Sequence, residues 1–249
     1  MRNKPKVISL FSGAGGMDIG FEQAGFEIAV AVEQDSSCCN TLRENRPSLE
    51  VIEGDVRNIK TKEILNVANL EPLEAALVIG GPPCQSFSLA GKRMGLEDSR
   101  GMLVLEFSRV VHEALPKAFV MENVKGMLNW EKGKAIEAVM NEFREPVVYN
   151  GQEYHYDVRY RVLNASSYGV PQHRERLFIV GNRLGKSYKF PEPTHGSKAE
   201  LEPGLFTEPM SPYVTAWEAI GHLPPADEPS DTAKRVSESI KGRIEKHGY

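Results

Sequence analysis

The sequence has few cysteines and no pattern typical of a metal site. Its 249 residues contain three cysteines, Cys38, Cys39 and Cys84. An odd number without a regular ladder of spacings does not predict a disulfide framework, so free thiols are expected. None of the six histidines lies near a cysteine at zinc-ligand spacing, so no metal is expected.

Long apolar runs and an excess of positive charge are also lacking. No stretch approaches the eighteen or so apolar residues that a spanning helix needs, so we expect no membrane partner and a cytoplasmic location. The formal net charge is −4. Affinity for nucleic acid rests largely on Lys and Arg against phosphate, so a nucleic-acid role would require local basic patches or a basic companion chain.

What the sequence does contain is an alternation of short apolar runs with helical patterns, which indicates a parallel sheet with helices on both faces. Two later strands are joined by a loop too short for a helical crossover, so they should pair antiparallel. The predicted fold class is α/β, with a doubly wound, mostly parallel seven-stranded sheet and an antiparallel last strand. The predicted strands are 6–11, 27–33, 49–53, 75–80, 117–121, 156–165 and 176–182, and the predicted helices are 17–24, 36–45, 101–115 and 132–143.

The amino-acid composition changes after residue 185, since eight of the sixteen prolines fall between Pro191 and Pro229. We predict a catalytic domain over residues 1–185 and a Pro-rich C-terminal arm over 186–249. The arm should contain a short helix at 213–221 and a charged helical tail at 230–247, and we expect it to dock a partner.

The segment FSGAGG follows the first predicted strand and opens the first helix. Glycines there allow a tight turn and let a ligand approach main-chain N–H groups. No Gly-Lys-Ser/Thr follows, and the sixth position counted from Gly13 is Asp18 rather than the Gly of a dinucleotide fingerprint. A cofactor loop and an ordinary tight turn both remain open on this segment alone.

Two acids at the next strand ends favour the cofactor interpretation. Glu33 ends the second strand, where a carboxylate can accept both hydroxyls of a ribose. Asp55, in the run Gly54-Asp55-Val56 after the third strand, can accept from an adenine amino group while Val56 packs on the ring. Each acid alone could be a solvated strand end, but three ordered sites on consecutive strands make coincidence less plausible.

The run GGPPCQSFS places Cys84 directly after the fourth strand, at the edge where doubly wound sheets bind ligands. Pro82 and Pro83 stiffen the approach, and a thiolate there could act as a nucleophile. A buried structural cysteine is the alternative, and we assign Cys38 and Cys39 to that packing role.

Three further groups could act beside Cys84. Glu122, at the tip of the fifth strand, can serve as an acid. Arg174 and Arg176, two positions apart on an extended segment, point the same way and suit an oxyanion or a phosphate. The segment 85–101 contains basic residues between glycines, which fits either a mobile lid that closes over phosphates or a plain surface loop.

Together, FSGAGGMDIGF, the Glu after the second strand, GDV, GGPPCQSFS, ENV and QHRERLFIVG resemble the DNA cytosine-5 methyltransferases over roughly residues 6 to 185. The resemblance implies a Rossmann-like class I methyltransferase fold and S-adenosylmethionine as cofactor. It makes Cys84 the nucleophile and Glu122 the acid at N3 of the base, with Arg174 and Arg176 holding the cytosine. It assigns cofactor binding to Phe11, Gly13, Gly15, Gly16, Glu33, Asp55, Val56 and Pro83, and substrate contacts to Pro83, Gln85, Ser86, Ser88, Lys92, Arg93, Arg100, Asn123 and Val124.

The implied reaction is methyl transfer to carbon 5 of a cytosine flipped out of double-stranded DNA. Single-chain members of this family continue past QHRER into a target-recognition region and a terminal Gly-Asn segment, and neither is visible after Asn182. We therefore expect the large, catalytic subunit of a bacterial two-chain restriction-modification methyltransferase, with a second subunit that carries the target-recognition domain and the C-terminal motifs of the cofactor domain. An RNA (tRNA-type) cytosine-5 methyltransferase and a non-catalytic regulatory module on the same fold are the alternatives.

Overall fold

The computed structural model describes residues 4–83, 102–197, 210–223, 231, 234–239 and 241. Its central feature is a seven-stranded sheet with the spatial order β3-β2-β1-β4-β5-β9-β8. The strands are β1 (Lys6–Leu10), β2 (Glu27–Glu33), β3 (Val51–Glu53), β4 (Leu77–Gly80), β5 (Ala118–Val124), β6 (Val147–Tyr149), β7 (Gln152–Tyr154), β8 (Asp157–Asn164), β9 (Glu175–Asn182), β10 (His195–Gly196) and β11 (Ser211–Pro212).

The predicted fold class is confirmed. Strands β1 to β5 pair in parallel, and β9 runs antiparallel to both β5 and β8. The prediction that the fifth strand ends at residue 121 is wrong, because β9 pairs with β5 as far as Val124 opposite Arg176. Glu122 therefore lies inside a paired strand rather than at its tip.

Six helices are described with bounds, and one of them was not predicted. They are α1 (Gly16–Gln23), α2 (Ser36–Asn45), α3 (Thr61–Ala68), α4 (Met102–Ala114), α5 (Lys134–Arg144) and α6 (Ala216–Ile220). The unpredicted helix, α3, connects β3 to β4. Its N-cap residue Lys60 makes no side-chain capping bond, so the usual sequence signal for a helix start is absent.

The core has two layers because side chains alternate between the faces of each strand. One cluster joins residues such as Leu10 and Met121 to apolar residues of α3, α4 and α5. At its centre, Phe119 stacks on Phe143 with the ring centroids 4.4 Å apart. The other cluster contains Val7 and residues packed beneath α1. This two-sided burial explains why the strands are nearly continuous apolar runs.

Contacts divide the chain into two compact units, Met1–Asn164 with Arg174–Glu192, and Ala165–His173 with Pro193–Tyr249. The first contains the sheet and an unpredicted hairpin, β6–β7. In the second, α6 begins with a capping box between Thr215 and Glu218, and the described tail residues 231, 234–239 and 241 are helical. The domain boundary at residue 185 remains a prediction.

None of the helices in the described part of the chain is long and apolar enough to cross a bilayer. A search of those same residues finds no group of three or more His, Cys, Asp or Glu side chains that could hold a metal ion.

Candidate active site

A cavity of about 110 Å³ opens at the carboxyl ends of the first four strands. Ligands of doubly wound sheets bind at this edge, where the strand order reverses between β1 and β4. Five residues predicted for the cofactor line it together: Phe11, Glu33, Asp55, Val56 and Pro83. The other lining residues are Val32, Gln34, Gly54, Gly81 and Leu103.

Glu33 ends β2 and organises one wall of this cavity. Its Oε2 accepts the N–H of Gly13 at 2.8 Å, and its Oε1 accepts the N–H groups of Gln34 and Asp35 at 2.8 and 2.9 Å. A carboxylate offers about four acceptor positions. Three are used by the main chain, so the remaining position on Oε2 is the one open to a ligand hydroxyl.

The glycines of the loop, Gly13, Gly15 and Gly16, do not line the cavity, whereas Phe11 at the start of the loop does. Phe11 lines the cavity and has a left-handed φ of 53°, which is uncommon for a large residue and typical of functional sites. Gly13 is occupied by its bond to Glu33, and Gly16 is the first residue of α1. Gly15 has φ 84°, and a Cβ there would lie 2.9 Å from the side chains of both Leu42 and Arg46. The left-handed φ favours a glycine at position 15, and a side chain there would also have to displace the ends of Leu42 and Arg46.

Asp55 follows β3, the strand next to β2, and also lines the cavity. Its carboxylate is bound by the Arg57 guanidinium and also accepts the Arg57 N–H at 3.0 Å. The side-chain hydrogen bond with Arg57 lowers the pKa of Asp55, so the group stays an ionised acceptor. The adjacent Val56 is buried and supplies apolar surface.

A second cluster adjoins the cavity through the end of β4. Glu122 Oε1 lies 2.8 Å from Arg176 Nε, and both side chains are about three-quarters buried, with exposed fractions of 22% and 25%. A Cβ at Gly81 would lie 3.1 Å from Glu122 Oε2, so the Glu122 carboxylate faces the segment that leads into Cys84. Glu122 is the predicted acid, and Arg176 is predicted to hold the cytosine. The two residues are far apart in sequence and form an ion pair.

Asn123 occupies a supporting position. It is 2% exposed, its Nδ2 donates to the carbonyl of Pro82 at 3.2 Å, and its Oδ1 accepts the Val124 N–H at 2.8 Å. The amide thereby joins β5 to the segment before Cys84. Val124 is half-buried on the same strand.

The remaining predicted residues fall into two groups. Arg174 is exposed, and its main-chain N–H donates to Asn164 Oδ1 at 3.0 Å. Cys84 and the predicted contacts Gln85, Ser86, Ser88, Lys92, Arg93 and Arg100 lie outside the described residues. Of the other cysteines, Cys39 is buried beneath β2 and its Sγ lies 3.4 Å from the Glu33 carbonyl, so its packing assignment agrees with its position.

Sequence reasoning missed half of the cavity lining. Val32, Gln34, Gly54 and Gly81 are neighbours of predicted residues, so reading each strand end as a short segment would have included them. Leu103 comes from α4, and no local signal marks it. Only the packing of α4 against the sheet brings it to the cavity.

Comparison with known proteins bears on the family of the chain. The family described as C-5 cytosine-specific DNA methylase matches residues 5–242. The Type II methyltransferase M.AquIA of Picosynechococcus sp. is 66% identical over 98% of this chain and 99% of its own length. M.NgoFVII of Neisseria gonorrhoeae is 40% identical over 89% of this chain but only 54% of its own length.

Solved structures give the same result. A DNA modification methyltransferase encoded within an Escherichia coli prophage superposes with a TM-score of 0.66 and 30% identity, covering 90% of this chain and 56% of that protein. The chain thus spans about half the length of these longer relatives and nearly all of M.AquIA. The family match across most of the chain, together with the site at the strand ends, shows that the chain belongs to the C-5 cytosine-specific DNA methylases, the DNA (cytosine-5-)-methyltransferases.

Proposed function

We propose that this protein transfers the methyl group of S-adenosylmethionine to carbon 5 of a cytosine in double-stranded DNA, through a covalent adduct with Cys84. The observation that carries the proposal is the position of Gly81 to Pro83. This segment lines the cavity on one side, faces the Glu122–Arg176 pair on the other, and leads directly into Cys84. A methyl donor and a target base would therefore meet at one place.

The cavity suits the cofactor that the family implies. Carboxylates that accept hydrogen bonds stand at two neighbouring strand ends, at Glu33 and Asp55, and match the hydroxyl and amino donors of an adenosine. Phe11 and Val56 supply apolar surface for a flat ring. When bound, S-adenosylmethionine supplies an electrophilic methyl group on a sulfonium.

The chain's own side chains would activate the base. Carbon 5 of cytosine is a weak nucleophile, so the Cys84 thiolate adds to carbon 6 while Glu122 donates to, or hydrogen-bonds with, N3. Arg174 and Arg176 hold the base. The 2.8 Å ion pair between Glu122 and Arg176 keeps the acid next to one of these two arginines. Carbon 5 then takes the methyl group, and loss of its proton expels the thiolate.

The base must leave the duplex to reach this site. We assign the contacts to flipped base and phosphates to Pro83, Gln85, Ser86, Ser88, Lys92, Arg93, Arg100 and Val124. Asn123 belongs to the same group in our proposal, but it acts by holding the Pro82 carbonyl, since its amide is buried.

A mechanism-based trap tests the proposal. Duplex DNA with 5-fluorocytosine at the target should form a covalent adduct through Cys84, because fluorine cannot leave as a proton. The adduct should be absent in Cys84→Ser. An active enzyme that forms no adduct would contradict the mechanism, and methylation of transfer RNA but not duplex DNA would favour the RNA alternative.

We further propose that a second polypeptide supplies target recognition, and that both chains work in the bacterial cytoplasm. Two observations support it. A relative of matching length, M.AquIA, shares nearly the whole chain, whereas the longer relatives carry about as much sequence again. The net charge of −4 also leaves much phosphate neutralisation to another protein. The partner would dock on the arm over residues 186–249.

Reconstitution tests this second proposal. The 249-residue chain alone should show little site-specific methylation, and adding a basic companion chain from the same genetic locus should restore it. Ordinary turnover by the isolated chain at a defined DNA site would show that the two-chain proposal is wrong.

A further inference from the structure

A row of polar side chains, two of them buried and two partly exposed, lies beneath the glycine-rich loop and is not explained by the proposed chemistry. Ser12 Oγ donates to Ser9 Oγ at 2.9 Å, and Ser9 Oγ donates to Asp18 Oδ1 at 2.6 Å. Arg46 Nη1 approaches Asp18 Oδ2 at 3.4 Å. Asp18 is completely buried, and the Arg46 side chain is 15% exposed. The row connects both arms of the loop to the C-terminal end of α2.

Arg46 also holds the loop directly. Its Nη2 donates to the Gly15 carbonyl at 3.3 Å and lies 3.1 Å from Glu22 Oε2 on α1. The guanidinium occupies the space that a Cβ at Gly15 would need. Arg46 therefore secures one side of the loop, while Glu33 secures the other through the Gly13 N–H.

An ionised carboxylate in this position has a cost. Burial is the largest influence on Asp18 and raises its pKa, while Ser9 and Arg46 act in the opposite direction. A buried ion pair is weak evidence for stability, since well-packed apolar groups often serve as well. The geometry of the row instead determines where the Gly15 carbonyl and Phe11, which lines the cavity, are placed.

We propose that Asp18 and Arg46 act as a pair of positioning residues that hold the glycine-rich loop in its cofactor-binding shape. The inference rests on the proposed function, because it assumes that S-adenosylmethionine occupies the cavity that this loop bounds. Neither residue lines the cavity among the described residues, so both act through the main chain at Phe11–Gly15. Replacing Asp18 by Asn keeps an acceptor for Ser9 but can set an amide donor against the Arg46 guanidinium. That change would displace Arg46 from beneath Gly15.

The test measures S-adenosylmethionine affinity of the full 249-residue chain by calorimetry, below the melting temperature of every variant. Asp18→Asn and Arg46→Met should each weaken binding on the order of tenfold. Arg46→Lys, which keeps a charged donor for the Gly15 carbonyl, should recover part of the loss. Because the two side chains act as one unit, the double variant should bind no more weakly than the weaker single variant.

Arg43→Met is the matched control. Arg43 is on α2, and its ion pair with the exposed Glu53, 2.7 Å long, does not involve the loop. Its affinity should equal that of the wild type. Wild-type affinity in both Asp18→Asn and Arg46→Met, or additive losses in the double variant, would overturn the positioning role alone. A wild-type chain that binds no cofactor, either alone or with the companion chain, would overturn the proposed function and, with it, this inference.

Discussion

The two edges of the sheet use charged side chains differently. At the carboxyl edge, Glu33, Asp55 and Glu122 stand at or beside a cavity, and each keeps some exposure. At the amino edge, the cation Arg183 binds main-chain carbonyls. Arg183 Nε lies 2.9 Å from the Pro116 carbonyl and 3.1 Å from the Leu115 carbonyl, and its Nη2 lies 3.0 Å from the Leu73 carbonyl.

This difference separates function from stability within one sheet. Leu73 and Leu115 both have positive φ, at 78° and 46°, so Arg183 holds strained connections before β4 and β5. The Tyr156 hydroxyl adds a bond to the Pro116 carbonyl at 2.7 Å, and burial raises the Tyr156 pKa. Substitution of Arg183 at the amino edge should therefore destabilise the fold, whereas substitution of Glu122 at the carboxyl edge should disable the protein while it remains folded.

The largest expected effect is at Glu122. Glu122→Gln should lower the rate of methyl transfer by about 10²–10⁴-fold, because an acid acting with the nucleophile is removed. The cofactor dissociation constant and the melting temperature should change little. Glu175→Gln is the control, since Glu175 is an exposed acid at the same edge, paired with Lys125 at 2.8 Å. Equal rates of methyl transfer for Glu122→Gln and Glu175→Gln would show that Glu122 does not act in the reaction.

The opposite pattern is expected at Arg183. Arg183→Met should lower the free energy of unfolding by about 2–3 kcal/mol, because hydrogen bonds from a charged donor to three carbonyls are lost. Urea titration measures this loss, and calorimetry should show an unchanged cofactor affinity. Arg159→Met, which breaks a surface pair with Asp157, should cost no more than about 1 kcal/mol. A weaker cofactor affinity in Arg183→Met would contradict the assignment of the amino edge to stability alone.

Cofactor affinity should depend on the two strand-end acids. Glu33→Ala and Asp55→Ala should each weaken S-adenosylmethionine binding by about 1.5–3 kcal/mol, through the ribose and the adenine respectively. Glu33→Ala should also destabilise the fold, because three main-chain N–H groups lose their acceptor. Glu53→Ala, at the neighbouring strand end, is the control. Unchanged dissociation constants in both variants would show that the pocket is wrongly assigned.

The smallest expected effect is a pH dependence from Asp18, which faces Ser9, Arg46 and Glu22. Its folded pKa is raised above 3.8, so its contribution to stability is greatest below that value and declines as pH rises through the folded pKa. Asn does not titrate. The free energy of unfolding of Asp18→Asn minus that of the wild type should therefore be larger, in favour of the variant, at about pH 7.5 than at about pH 4.5. A difference that is constant or reversed would contradict the raised pKa.

Much of the architecture could be predicted from local sequence. The parallel strands, the antiparallel β9 and the acids Glu33 and Asp55 followed from apolar periodicity, from the short loop before β9 and from their places after strands. Those features depend on neighbours close along the chain. The helix α3 was not predicted, although its buried residues Ile64, Leu65 and Ala68 have helical spacing. The strand β5 is longer than predicted because its last residues pair with a strand some fifty residues away.

The sequence by itself determined which residue types stand at each strand end, and through its motifs it determined the family. The tertiary structure alone decided which of these residues meet. The 2.8 Å pair between Glu122 and Arg176 and the Arg46 guanidinium beneath Gly15 both join segments that only sheet and helix packing bring together. Hydrogen bonds require atoms within about 3 Å, a condition that spacing along a chain can specify only for close neighbours.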